Sequence, residues 1–98
     1  MTDFAALEAG ARARLDQMRR LSEGLAAIRV DQTDDEGAVT VSVDGVGRLL
    51  DLRLAQGIAN MSPAEFERVF VATAAAAARR ALGTRGQLVE DFNGQVNS

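Results

Sequence analysis

The first quarter of the chain carries apolar side chains at alternating steps of three and four residues. This spacing places them along one stripe of an α-helix, with the heptad repeat that is typical of a coiled coil. Only Arg14 interrupts the series, and Thr2 or Asp3 can cap the start of the helix. The pattern therefore predicts a helix over residues 2–28 with a continuous apolar seam. The series consists of Phe4, Leu7, Ala11, Met18, Leu21, Leu25 and Ile28.

A helix of this length needs a packing partner beyond a small sheet. At ~1.5 Å per residue it runs to about 40 Å, which is longer than a sheet of short strands covers. The 98-residue chain has four Phe and no Trp or Tyr, so its own core is thin. We therefore expect a homodimer, in which Arg14 either sets the register of the contact or marks where the seam splays open. The candidate dimer-interface residues are Phe4, Leu7, Ala11, Met18, Leu21 and Leu25.

The hydrophobic period changes to two after Ile28, which is typical of strands. Val39–Val43 and Leu50–Leu54 alternate apolar with polar side chains, and glycine-containing turns separate the strands. The acidic segment Asp34–Glu36 lacks the ligand spacing of a calcium loop and is interpreted as a hairpin turn. The sequence predicts a three-stranded antiparallel meander over residues 28–54, with its Val and Leu face covered by helices.

A capping signal at residues 62–65 is the strongest local signal in the sequence, and it predicts the start of a second helix. Ser62 can cap it, Pro63 suits the first helical position, and Glu65 completes a capping box. Gly83 is expected to end this helix, which gives bounds of 62–82 and leaves residues 83–98 as a partly ordered tail. The predicted fold is thus α+β, in the order α-β-β-β-α, within a single domain that spans residues 1–98.

The chain lacks the residue types that most enzymes use for catalysis. There is no Cys and no His, and no base stands ready to activate a Ser or Thr. We expect no enzyme activity, no catalytic residues, no metal site, no cofactor and no small-molecule substrate. The longest apolar run is far shorter than a membrane span, and no basic region precedes an apolar stretch at the N-terminus, so we expect a cytoplasmic protein without a membrane partner.

The charge distribution is more informative than the net charge of −3. All eleven basic residues are Arg, and the window between Glu67 and Glu90 contains four of them and no carboxylate. If nucleic acid binds, the helices are the expected surface. The alternative is a solvated helix face, because Glu8 precedes Arg12 and Asp16 precedes Arg20 by four residues, the favourable order for ion pairs. The candidate DNA-binding residues are Arg12, Arg19, Arg20, Arg79, Arg80 and Arg85.

The segment Gly37–Leu54 carries a resemblance to a known family. Its Gly-x-Val-x-Val-x-Val-x-Gly-x-Gly pattern is followed by a Leu-rich strand, a Pro-x-Glu helix start and an Ala-rich helix. This combination resembles the YbaB/EbfC family of nucleoid-associated proteins over nearly the whole chain. The resemblance implies a homodimer with protruding helical arms that binds duplex DNA with little sequence preference, in the bacterial cytoplasm.

Two functions are therefore expected from the sequence. The first is a dimeric, nucleoid-associated protein whose Arg-bearing helices contact phosphates, with weak and largely sequence-independent binding. The alternative is a protein-interaction or secretion-system-associated adaptor on the same dimeric fold, without significant DNA binding. The first depends on arginines that are free to meet phosphate, and the second on an apolar surface that is free to meet a protein partner.

Overall fold

The computed structural model describes residues 3–97 and has the predicted order of elements. A helix is followed by a three-stranded antiparallel sheet and a second helix, so the predicted α-β-β-β-α arrangement is confirmed. A short 3₁₀ helix forms the connector before the second long helix. The elements are α1 (Phe4–Ala26), β1 (Arg29–Thr33), β2 (Val39–Asp44), β3 (Leu49–Leu54), the 3₁₀ helix (Gln56–Asn60) and α2 (Pro63–Asn97).

Both hairpin turns are organised by the aspartate that precedes them. Asp34 accepts the Val39 N–H through Oδ1 at 2.7 Å, which closes the turn between β1 and β2. Asp44 accepts the N–H groups of Val46 and Arg48 at 3.1 and 2.9 Å in the second turn. Side chains of this type satisfy turn backbone that the strand ladder leaves unpaired. The interpretation of the acidic segment as a turn is therefore confirmed.

The buried core lies between α2 and the first two strands. Val39, Val41 and Val43 of the central strand β2 are at most 2% exposed, and Ala77 and Ala81 of α2 are fully buried. Alanine on the inner face of α2 lets the helix lie close to the sheet. The expectation that helices cover the whole apolar face is wrong for β3, because all six of its residues are exposed.

The end predicted for the second helix at Gly83 is also wrong. α2 continues through this glycine to Asn97, so the residues expected as a partly ordered tail are helical; Ser98 lies outside the described residues. The helix continues because apolar residues continue along its inner face. Leu88 packs against the core, and its Cδ1 atom lies 3.6 Å from the position that a Cβ on Gly24 would occupy. Tertiary packing of this kind outweighs the weak helix propensity of glycine, which costs about 1 kcal/mol.

The starts of both helices follow the capping signals. The Asp3 carboxylate accepts the Ala6 N–H at 3.2 Å at the start of α1, while Thr2 lies outside the described residues. The Ser62 hydroxyl accepts the Glu65 N–H at 3.1 Å at the start of α2, so the predicted cap is confirmed. α1 ends at Ala26, two residues before the predicted boundary.

The molecule is elongated, measuring 76 Å in one direction and 18 and 15 Å in the others. α2 first crosses the sheet and then runs beyond it, where Leu88 meets Gly24 of α1. The two helices therefore form an arm that projects from the sheet. This arm carries arginines from both ends of the sequence.

Replacing Gly83 with Ala is expected to stabilise the protein by about 1 kcal/mol, because alanine has a higher helix propensity. A Cβ at this position would have no neighbour within 4 Å, so the substitution introduces no clash. Thermal unfolding followed by circular dichroism should show the melting temperature rise by about 4–8 °C. If residues 83–97 were frayed rather than helical, the melting temperature would not change.

Gly47→Ala is the matched control for that substitution. Gly47 has φ +83°, and a Cβ there would meet the Ala78 Cβ at 3.3 Å. The same chemical change is therefore expected to destabilise the protein by about 1 kcal/mol or more. Opposite signs for the two variants separate the helical glycine from the turn glycine.

Candidate nucleic-acid interface

The six candidate arginines lie on the two long helices but differ in what holds them. Arg19 and Arg20 are exposed on α1, Arg79 is exposed on α2, and Arg85 is half-buried where α2 approaches α1. Within residues 3–97, none of these four forms an ion pair or a hydrogen bond through its guanidinium. The ion pair expected between Asp16 and Arg20 is absent from this part of the chain. These four guanidinium groups are free to meet an anion.

Arg12 is held by a carboxylate one helical turn away. Its Nη2 donates to Glu8 Oε1 at 2.8 Å, and both side chains are largely exposed to solvent. This i,i+4 pair was expected from the sequence and is confirmed. Because Glu8 neutralises the local charge, Arg12 offers less to a phosphate than Arg19, which lies on the same face seven residues later.

Arg80 is bound to the edge of the sheet. Its Nη1 donates to the Asp31 carbonyl oxygen and to Gln32 Oε1, both at 2.9 Å. The Asp34 N–H donates to the Val39 carbonyl at the end of the β1–β2 ladder. Because the backbone groups of successive residues in an antiparallel strand alternate in direction, the Asp31 carbonyl points away from β2, toward the free edge of β1. Arg80 therefore occupies a backbone acceptor on this edge, a role that its position in the acid-free window did not indicate.

Two further arginines, Arg68 on α2 and Arg14 on α1, lie outside the candidate set, and neither has an ion pair within residues 3–97. Arg68 and Arg79 are both exposed, and their separation of eleven residues places them on the same face of α2. This helical spacing is the signal that could have added Arg68 to the candidates. Arg14, in the α1 seam, is also exposed and has no ion pair within residues 3–97. The free positive charge therefore follows the helices over most of their length.

The uncovered face of the sheet is polar and electrically balanced. Asp31 accepts a hydrogen bond from the fully buried Ser42 hydroxyl and pairs with Arg29 at 3.3 Å and with Arg53 at 3.6 Å. The Ser42 hydrogen bond, followed by Arg29 and Arg53, lowers the pKa of Asp31. Asp31 is therefore ionised at neutral pH and offsets the neighbouring guanidinium groups. This face has little to attract a polyanion.

The α1 seam is divided by the fold. Leu25 packs against the chain's own core and Leu21 is half-buried, so the C-terminal end of the seam faces α2. Phe4, Leu7 and Met18 remain 79%, 60% and 57% exposed. Ala11 is exposed as well. Only the N-terminal part of the predicted seam is thus open to a partner.

Two other kinds of site, a metal centre and a membrane span, are not found within residues 3–97. No group of three or more Asp or Glu side chains within residues 3–97 is placed to hold a metal ion. Over the same residues, neither long helix is apolar enough to cross a membrane.

Comparison with known proteins identifies a family and a similar fold. A family model described as the YbaB/EbfC DNA-binding family matches residues 1–96. No curated protein matches the chain. Among solved structures, it is similar to the uncharacterized protein HP0035 from Helicobacter pylori, with a TM-score of 0.66 and 18% sequence identity, over 94% of this chain and 98% of that chain. At this identity the likeness concerns the fold alone.

Proposed function

This chain belongs to the YbaB/EbfC DNA-binding family, and from that premise we propose that it is a dimeric, nucleoid-associated protein of the bacterial cytoplasm. It binds duplex DNA through phosphate contacts, weakly and with little preference for sequence. The observation that carries the proposal is the set of unpaired arginines on α1 and α2, namely Arg19, Arg20, Arg79 and Arg85, extended by Arg68.

The proposed binding is electrostatic because of how these side chains are placed. They are spread along two long helices, of 23 and 35 residues, rather than gathered at one point that could enter a groove. Contacts of this kind position a protein on the phosphate backbone but do not read base edges. The net charge of −3 and the balanced sheet face limit the affinity, because only the helical surface attracts DNA.

Raising the salt concentration is expected to weaken the complex strongly. Phosphate contacts release counterions, so the logarithm of the binding constant falls by about 0.9 for each contact per tenfold increase in salt. Titration of a labelled duplex, followed by fluorescence anisotropy at roughly 50 and 200 mM salt, should give micromolar binding that fades across this range. Two duplexes of different sequence should bind within about threefold of each other. Absence of binding at the lower salt concentration would contradict the proposal.

A protein adaptor is the second candidate function, and the open end of the α1 seam favours it. Phe4, Leu7 and Met18 present an apolar stripe on a helical arm, which is how amphipathic helices meet a partner helix. In this role the acidic net charge opposes DNA, and the arginines are only a solvated face. The same anisotropy titration separates the two functions, since an adaptor gives no signal with duplex DNA at either salt concentration.

A further inference from the structure

A groove of about 380 Å³ runs between the N-terminal half of α2 and the turn that joins β1 to β2. On one side it is lined by a single face of α2, from Glu65 to Ala76, which extends over about 16 Å of helix. On the other side lie residues 32–36, at the end of β1 and in the turn. A pocket of this size is in the range that small ligands occupy.

Thr73 lines this groove with a hydroxyl group that has no partner. The residue is only 4% exposed, yet its Oγ1 makes no hydrogen bond within residues 3–97. The Thr84 hydroxyl, further along the same helix, donates to the Arg80 carbonyl at 3.1 Å. No fully buried side-chain oxygen in the described chain lacks a hydrogen bond, so the Thr73 hydroxyl must reach the groove. Because polar groups in such places are normally paired, this oxygen indicates a ligand atom beside it.

The walls of the groove carry an excess of negative charge. Four carboxylates line it, against a single guanidinium group from Arg68. None of the four carboxylates forms an ion pair within residues 3–97. A concave site with this charge attracts a cation and repels an anion. The four residues are Asp34, Asp35, Glu36 and Glu65.

The placement of these carboxylates suits an extended cation. Three of them belong to the turn and Glu65 belongs to the helix on the opposite side, and no three within residues 3–97 are placed to hold a metal ion. The groove is also lined by the apolar side chains of Met61, Val69 and Ala72. Methylene groups pack on such side chains while a terminal ammonium group stays with carboxylates and water. The lining therefore favours a flexible aliphatic chain with an ammonium group at each end.

We propose that this groove binds a linear aliphatic polyamine. One ammonium group lies among the carboxylates of the turn, and another lies at Glu65. An N–H group of the ligand donates to Thr73 Oγ1, and the methylene chain covers Val69 and Ala72. The site does not depend on DNA binding or on the oligomeric state of the protein.

Titration of the isotope-labelled chain with spermidine, in the absence of DNA and at low salt, tests the site. Two-dimensional NMR should show saturable shifts of the backbone amides of residues 33–36, 65 and 69–73. Magnesium chloride at the same ionic strength should not produce these shifts, because the carboxylates do not converge on one point. Shifts that fail to saturate, or that magnesium reproduces, would overturn the proposal.

Thr73→Val removes the hydroxyl and keeps the shape of the side chain. Spermidine should bind this variant about fivefold more weakly, because a hydrogen bond to a charged donor is lost. Its melting temperature should not fall, since the hydroxyl has no partner within the described residues. Thr84→Val is the matched control and should bind spermidine within about twofold of the unaltered chain. A lower melting temperature with unchanged binding would assign the Thr73 hydroxyl to the fold and contradict its role at the ligand.

Neutralising two groove carboxylates gives a larger effect. Asp35→Asn with Glu65→Gln removes one charge from each side of the groove and should weaken spermidine binding by about tenfold or more. The matched control is Glu67→Gln with Glu90→Gln, which makes the same change in net charge on α2 outside the groove. It should weaken binding by less than about twofold. Equal losses would show that spermidine responds to net charge only, and the groove would not be its site.

A lysine side chain of another protein offers the same ammonium chemistry as a free polyamine. N-acetyl-lysine amide has only one ammonium group, so it should bind at least about fivefold more weakly than spermidine. Diaminobutane, which has two, should bind more tightly than the lysine derivative. A lysine derivative that bound as tightly as spermidine would overturn the polyamine assignment and favour a lysine-bearing protein segment instead.

Discussion

Replacing Arg19 and Arg79 together with Gln is expected to lower the affinity for duplex DNA by about a hundredfold at roughly 50 mM salt. Non-specific complexes with several phosphate contacts gain on the order of 0.8 kcal/mol from each. Two contacts in each protomer of a dimer would therefore remove about 3 kcal/mol. Neither guanidinium has a partner within residues 3–97, so its loss should leave the fold unchanged.

Arg12→Gln with Arg48→Gln is the matched control, because it removes the same charge from side chains that are already paired. Arg12 bonds to Glu8 at 2.8 Å, and Arg48 bonds to Asp44 at 3.1 Å. We expect the control to lower DNA affinity by less than about fivefold and to leave more of the salt dependence in place. Equal losses in both double variants would mean that net charge, and not the free arginines, governs binding.

The elements of the fold could be predicted because each rests on a local signal. The valines of β2 alternate with polar residues, and Ser62 and Asp3 stand where a helix start needs an acceptor. The end of α2 could not be predicted in this way. Gly83 by itself is a strong signal for a helix end, but the packing of Leu88 against α1 outweighs it. Leu88 lies beside Gly24, which is 64 residues earlier in the sequence. Local propensity carries no information about such a contact.

The candidate site was predicted only in part, for a similar reason. Sequence spacing places Arg12, Arg19 and Arg79 on exposed helix surfaces, which the structure bears out, but it does not show which of them is already occupied. Arg80 bonds to β1, 48 or 49 residues earlier in the chain, so no helical pattern could reveal it. The exposure of β3 was missed because an alternating strand has the same sequence pattern whether its apolar face is covered by a helix or left exposed.

The helices and the sheet differ in how their charged side chains are paired, and this difference follows from where the carboxylates lie. Asp31 and Asp44 both have lowered pKa values; for Asp44 the main cause is the hydrogen bond from the Arg48 backbone. These groups remain charged at neutral pH and are used to organise the sheet and its turn. Arg19, Arg20 and Arg79 on the helices have no carboxylate partner within residues 3–97, so the arms serve binding in the proposed function.

Replacing Val41 with Asp is expected to abolish cooperative folding. Val41 is fully buried at the centre of β2, where it faces α2 and lies beside Leu52. A carboxyl group there lies among the apolar side chains of the core cluster, so it loses its hydration with little compensation. The cost should exceed about 4 kcal/mol, a large fraction of the stability of a small domain. Circular dichroism during urea denaturation should show no cooperative transition.

Thr40→Asp tests whether the face of the strand, and not the charge itself, is responsible. Thr40 adjoins Val41 but lies on the polar face, where its hydroxyl is 2.9 Å from that of Thr33. The substitution should cost only about 1 kcal/mol, the range over which strand propensities vary, and leave a cooperative transition. If the two variants unfolded alike, the covered and uncovered faces of the sheet would not differ as described.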